Sequence, residues 1–402
     1  MRSLTELYKI GSGPSSSHTM GPEKAAGIFK SDNEDADQFK ALIYGSLAKT
    51  GKGHMTDKAI IRALSPVPAE IEYVPRADFT LPHPNTIDFI AYIDGRQTAS
   101  MRVVSIGGGD IVIEGRKETL VPDVYPENSF AEISTFCKAN QIRLSDYVEQ
   151  REGKQIWGFL SGIWEAMKRS IDDGLSVTGI LEGGLQVERK ASYLYHHRHM
   201  DESPETRENR IVSAYAFAVN EQNAAAGTVV TAPTCGASGV VPAALRYMQE
   251  KKRVPDEQVL RALAVGGLIG NLVKQNASIS GAQCGCQAEV GTACSMAAAA
   301  LAELSGMEID QIEYAAEVAM EHHLGLTCDP INGLVQIPCI ERNAAGAMRA
   351  IHALSLATFL SNTRKISFDL VVRTMHETGV DMNSRYRETA EGGLAKLYKM
   401  DR

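Results

Sequence analysis

An α+β first half followed by an all-helical second half is the fold class this sequence predicts, and three features predict it. Strand-like stretches broken by Pro and Gly fill the first ~140 residues. From about Ser145 onward, apolar residues recur at steps of three and four, the spacing of one helix face. In Ala262–Val273 and Ala288–Leu304, Ala and Gly dominate and charge nearly vanishes, as in helices buried on all sides. A chain of 402 residues has room for two domains, expected at 1–140 (α+β) and 141–402 (all-helical).

The elements follow in order. Glu23–Phe29 reads as a helix opened by Pro22, whose missing N–H costs nothing in a first turn. Ile90–Ile93, an Asp94-Gly95 turn and Thr98–Ile106 read as a hairpin, because that dipeptide suits the tight turn that matches strand twist. Ile111–Ile113 is a further extended piece after Gly107–Gly109. In the second half Trp157, Leu160, Ile163, Trp164 and Met167 form one helical stripe. The stretch His196–Arg210 reads as a polar loop, and its run of histidines at 196, 197 and 199 as a solvated face rather than a metal site.

Hydrophobic residues make up 44% and charged residues 22%, as in soluble globular proteins. A net charge of −8 argues against a nucleic-acid or anionic-membrane partner. The opening MRSLTELYKIGSG lacks a secretory pattern, and the charge-free runs Gln275–Ala288 and Val290–Ala302 are too short to span a bilayer. A cytoplasmic location is therefore expected. Seven cysteines without an export signal do not read as a disulfide framework. Six of them fall between Cys235 and Cys339, which hints at a soft-metal site.

Two phosphate-binding motifs fail. Gly45 to Lys52 has one residue too many between its glycines, and Gly53 stands where a magnesium-binding hydroxyl is needed. Gly107–Gly109 lacks the later glycine of a dinucleotide fingerprint. The loop GPSSSHTMGP (13–22) places Ser15, Ser16, Ser17, His18 and Thr19 just before a helix start. It reads either as a cap with spare serines or as a small-anion site. His54, beside Gly51 and Gly53, is either a plain loop histidine or a proton acceptor. Gly107–Gly109 is either a turn or a nest of bare N–H groups for a carboxylate. The segments Cys284-Gly285-Cys286, Thr327-Cys328-Asp329-Pro330 and Pro338-Cys339 each place cysteine near Gly or Pro, hence near element ends. A buried cysteine is ordinarily a small hydrophobe, but three at helix breaks in a charge-poor region suit an iron–sulfur cluster.

At this point the sequence resembles the bacterial iron–sulfur-dependent L-serine dehydratases in their single-chain form. The resemblance runs through IGSGPSSSHTMGP (10–22), YGSLAKTGKGHMTDKAI (44–60), SIGGGDIV (105–112), NASISGAQCGCQAEVGTACSMAAA (276–299), EHHLGLTCDP (321–330), VQIPCIERNA (335–344) and TGVDMNSRYRETAEGGLA (378–395). It implies an N-terminal α+β domain, a helical catalytic domain, and a [4Fe–4S] cluster on Cys286, Cys328 and Cys339. Cys284, Cys294, Cys235 and Cys137 are not carried over as ligands. One feature departs: single-chain members end with a cysteine that occupies the fourth iron, whereas this chain ends Leu397–Arg402 without one. The resting fourth ligand is thus undefined.

The resemblance implies conversion of L-serine to pyruvate and ammonia. A Lewis-acidic iron would assist departure of hydroxide, and His54 would take the Cα proton, with His18 as the rival base. The Ser15–Thr19 loop and the Gly107–Gly109 turn would hold the substrate, in a site at the domain junction. A symmetric homodimer is expected on frequency alone. Two other readings remain. A pyridoxal-phosphate dehydratase would need a Schiff-base lysine motif and a longer glycine loop. A cluster-bearing redox sensor would need neither GPSSSHT nor GKGH.

Overall fold

The computed structural model describes residues 1–76, 80–116, 122–198 and 200–400. His199 and the last two residues of the sequence lie outside them. Seven strands are described: β1 (Ile10–Ser12), β2 (Gln38–Tyr44), β3 (Ala69–Val74), β4 (Thr86–Ile93), β5 (Arg96–Gly107), β6 (Asp110–Ile113) and β7 (Thr228–Val230). Five form one sheet in the order β3-β2-β4-β5-β6, with β2 and β3 parallel and the other pairs antiparallel.

Alternation along these strands sends one set of side chains inward. Phe39, Ala41 and Ile43 of β2 lie beside Ile87, Phe89 and Ala91 of β4, all fully buried. The helices Gly21–Ser31 and Thr56–Leu64 cover that face with Ala25, Ala26, Phe29, Ile60 and Leu64. The expected hairpin is present, and Asp94 (φ 50°) and Gly95 (φ 73°) close it in the left-handed region. Gly107, Gly108 and Gly109 are all left-handed too (φ 102°, 59° and 79°), a backbone that side chains resist, and they turn β5 into β6.

The larger unit is helical. Every residue of the helix Thr292–Leu304 is buried, so its Ala-rich composition follows from close neighbours on all sides. The helices Asp256–Asn276, Ile309–Glu321, Cys339–Leu360 and Val240–Lys252 pack around it. The apolar stripe expected around Trp164 belongs to the helix Gln155–Ser176, with Leu160, Ile163, Trp164 and Met167 buried. Burial of each such side chain contributes roughly 1.5–3 kcal/mol. Among the described residues, no helix is long and apolar enough to cross a membrane.

Two findings differ from the sequence reading. The stretch 196–210 is not one loop: the chain re-enters a helix at Pro204, running Pro204–Ala224. Ser203 caps it by accepting from Thr206 N–H, and Pro204 sits in the first turn, a start signal hidden among charged residues. Arg210 then faces inward, donating to Glu202 and to the carbonyls of Leu194 and Tyr195. The first residues of the chain serve the helical unit as well. Leu4, Leu7 and Tyr8 join its core, the Tyr8 hydroxyl donates to Leu263 O (3.0 Å), and β1 pairs with β7. The helix Phe130–Asn140 packs in the same core.

The β5–β6 turn is pinned to this unit by charge. Asp110 accepts from Lys9 and from Lys274 (2.6 Å), and Lys274 also donates to Glu6 O (3.0 Å). Burial alone would raise the Asp110 carboxyl, but Lys274 and Lys9 outweigh it and hold it below the usual carboxylate range. Asp110→Asn leaves two half-buried ammonium groups short of their counter-charge. It should lower stability by about 2 kcal/mol, below the ~3–5 kcal/mol of a fully buried broken pair because both lysines reach water. Urea unfolding measures this, and an unchanged midpoint would show the pin to be inert.

Candidate active site

The smaller unit contributes two imidazoles. Ser15 caps a π-helical turn, Ser16–Met20, by accepting from His18 N–H (3.1 Å). Such turns widen a helix locally and recur at functional positions. His18, fully buried, is held between two hydroxyls, with Ser17 Oγ 2.8 Å from Nδ1 and Ser46 Oγ 3.3 Å from Nε2. Ser46 Oγ gives its proton to Glu388 O (2.8 Å), so it accepts from His18 Nε2–H, and Nδ1 in turn accepts from Ser17. His54 has the opposite tautomer. Its Nδ1 faces the Thr50 carbonyl at 3.0 Å and must donate, which leaves the Nε2 lone pair free. The two rings lie 4.5 Å apart.

Burial pushes His54 down from 6.5 to about 4, and burial together with His54 pushes His18 down as well. Both are therefore neutral at pH 7. Thr19 Oγ1 donates to His54 O (2.7 Å) and Thr56 Oγ1 to His18 O (2.5 Å), so the two histidine segments fix each other. The hydroxyls of Ser15, Ser17 and Thr19 are thus engaged in holding the loop, while Ser16 is buried beside them. The glycine turn sits at the junction of the units. Gly107 faces Ser280, Gly108 faces Ile279 and Gly109 faces Met20.

The helical unit contributes thiols. Cys286 follows the left-handed Gly285 and precedes a second π-helical turn, Gln287–Gly291. Cys328 precedes Asp329-Pro330, and Cys339 opens the helix Cys339–Leu360 after Pro338. The structure brings the three together. Cys286 and Cys328 share a hydrogen bond, and Cys339 is near enough for the Cys286 charge to act on it. The bond to Cys328, and then the Arg342 guanidinium, hold Cys286 below the usual thiol range despite burial. Cys328 is pushed up by the same bond, and Cys339 mainly by burial. Cys284 is elsewhere, packed on Gly379 with its thiol raised by burial. Among the described residues no disulfide uses any of the seven cysteines.

The donor set suits an iron–sulfur cluster rather than one metal ion, because the three sulfurs do not all come within 4.8 Å of one another. Two buried thiols and the half-buried Cys339 lie at loop ends, with a cation, Arg342, beside them to offset thiolate charge. A Cβ at Gly281 would lie 3.3 Å from Cys328 Sγ and 2.7 Å from Glu289 Oε2, so glycine keeps that cradle open. His18, His54 and Glu388 form a second group, with ligand atoms within 4.8 Å of one another. There, both nitrogens of His18 are occupied by serines, so only His54 Nε2 and Glu388 are free to ligate.

Three residues escaped the sequence reading. Arg342 and Glu289 each stand three positions after a cysteine at a helical start, hence on the same face. That spacing was a usable signal. Glu388 carried no such signal, because it arrives from the far end of the chain. Its Oε1 lies 3.6 Å from His18 Nδ1 and 3.8 Å from His54 Nε2, and its Oε2 is buried without a partner. Burial, then the charges of Glu289 and Cys286, push Glu388 toward the protonated form, and burial, then the Cys286 charge, do the same to Glu289.

Comparison with known proteins agrees in family. A family model described as serine dehydratase alpha chain matches residues 50–395, and one described as serine dehydratase beta chain matches residues 3–74. L-serine dehydratase 1 of Escherichia coli is 42% identical over 100% of both chains, and L-serine dehydratase 2 of the same organism 40% over 98% of each. The L-serine dehydratase of Helicobacter pylori is 36% identical over 99% of each.

The tautomer assignment is open to measurement. In nitrogen-15 NMR of the metal-free protein, the His54 ring should stay neutral and Nδ1-protonated from pH 7 down to about 4. Titration near the ordinary 6.5, or an Nε2-protonated ring, would overturn it.

Proposed function

The chain belongs to the serine dehydratase family, and from that premise we propose that it converts L-serine to pyruvate and ammonia at the junction of its two units, with a [4Fe–4S] cluster on Cys286, Cys328 and Cys339. One observation carries the reading. A single buried carboxyl, Glu388, has an imidazole with a free lone pair on one side and interacts with the three thiols on the other. Proposed base and proposed cluster ligands thus both act on one buried carboxyl.

When bound, such a cluster supplies a Lewis-acidic iron that takes up the negative charge of a departing hydroxyl. The chain's own residues do the rest. His54 Nε2 takes the Cα proton, the electron pair of that bond forms the Cα–Cβ double bond, and the Cβ–O bond breaks; the departing hydroxide takes the proton back from His54 and leaves as water, which regenerates the base. The 2-aminoacrylate tautomerises to an imine, which water hydrolyses to pyruvate and ammonia. His18 takes no proton here; fixed as the Nε2–H tautomer, it packs against His54 and keeps the base in place. The Ser15–Thr19 loop and the Gly107–Gly109 turn hold the substrate carboxylate. Burial keeps water from competing for the base. A cytoplasmic home suits seven unpaired thiols, and a symmetric dimer is the commonest assembly for a soluble enzyme.

Anaerobic reconstitution followed by a serine-to-pyruvate assay tests this. His54→Asn should lower kcat by about 10²- to 10⁴-fold, the usual worth of a general base, with iron and sulfide content unchanged. Cys286→Ala, Cys328→Ala and Cys339→Ala should each lose both iron and activity. Full turnover by iron-free protein, or by the His54 variant, would refute the assignment, and bound pyridoxal phosphate would favour the other dehydratase chemistry. Bound iron without pyruvate release would favour a sensor.

A further inference from the structure

The proposed chemistry leaves one buried acid without a task. Glu388 is 5% exposed and is held from the backbone: its φ is +56°, its N–H donates to Cys328 O (2.8 Å), and its carbonyl accepts from Ser46 (2.8 Å). A non-glycine residue in that conformation is strained, so the surrounding contacts impose it and thereby aim the side chain. The carboxyl faces His18, His54, Glu289, Cys286, Cys328 and the N–H of Ala282.

What these neighbours offer in hydrogen bonds decides the argument. His54 Nε2 carries a lone pair, and His18 Nδ1 accepts from Ser17, so neither imidazole atom facing the carboxyl can donate to it. The Glu388 Oε2 atom accordingly has no partner, though it is fully enclosed. A buried carboxyl oxygen left unsatisfied is costly, and such atoms in native proteins normally meet a donor from solvent or ligand. The donor must be small enough for an enclosed site and rich in N–H.

We propose that Glu388 is the receptor for the substrate's α-ammonium group, and so the residue that selects amino acids over 2-hydroxy acids. The inference rests on the L-serine reading above. An ammonium donates up to three hydrogen bonds and accepts none, which complements the unpartnered Oε2 of Glu388 and the free lone pair of His54 Nε2. The geometry also agrees with the proton transfer. The ammonium nitrogen and the departing proton sit on the same carbon, so their receptors must be close neighbours, and Oε1 of Glu388 is 3.8 Å from His54 Nε2. A hydroxyl in place of the ammonium offers one neutral donor and loses the charge-assisted bond.

The test uses cluster-loaded enzyme and two ligands of matching shape that cannot eliminate, L-alanine and L-lactate. Their binding is read by calorimetry and by competition with L-serine. In Glu388→Gln, the KM for L-serine and the dissociation constant for L-alanine should rise by about 10- to 100-fold, the worth of one hydrogen bond to a charged group. L-Lactate should bind within about twofold of the wild-type value, and iron content should stay the same. Glu388→Asp retains a carboxyl and should keep the preference for alanine with weaker binding overall. It decides the matter alone if the glutamine variant does not fold. Equal loss for alanine and lactate, or a fall in kcat with KM unchanged, overturns the inference. Wild-type enzyme that makes no pyruvate from serine would instead overturn the reading beneath it.

Discussion

Two backbone hydrogen bonds, from Cys328 N–H to Tyr386 O and from Glu388 N–H back to Cys328 O, clamp the C-terminal segment onto the segment that carries a central thiol. The rest of the site depends on that clamp. It fixes Cys328 relative to Cys286, sets Glu388 beside both imidazoles, and lets Ser46 of the smaller unit reach the Glu388 carbonyl. Further ties extend it: Lys49 to Glu391 (2.9 Å), Arg387 to Gln283 O (3.1 Å) and Leu394 N–H to Asp329 (2.8 Å). One short segment thereby joins both units around the enclosed space.

Burial is the dominant electrostatic force there. It drives His18 and His54 toward the neutral form and Glu289 and Glu388 toward the protonated form, so each group avoids bare charge in a medium that solvates it poorly. Cys286 departs from this trend because a hydrogen bond and a guanidinium stabilise its thiolate. Burial also keeps both imidazoles neutral across the neutral pH range.

The fold was largely legible because its signals are local. The Asp94-Gly95 turn, the stripe around Trp164 and the Ala-rich run ending at Leu304 each specify an element from a few neighbouring residues. Reading 196–210 as a loop failed because charge density there masked a cap at Ser203 and a first-turn proline. The pairing of β1 with β7 could not be read, since strands so far apart in sequence leave no local mark. The site divides in the same way. His54 and the cysteines stood out by composition and flanking glycines, and which thiols belong together came from the family resemblance. Glu388 is placed by the clamp to Cys328, a long-range contact, and its unsatisfied oxygen exists only in three dimensions.

The central claim is that three cysteine sulfurs hold a cluster and leave one iron corner for substrate. Mössbauer spectroscopy of protein reconstituted anaerobically with iron-57, recorded before and after adding L-serine, tests it most directly. The account predicts a [4Fe–4S] spectrum in which one iron site alone shifts when serine is added. Protein that takes up no cluster, or a cluster whose spectrum serine leaves untouched, would contradict it.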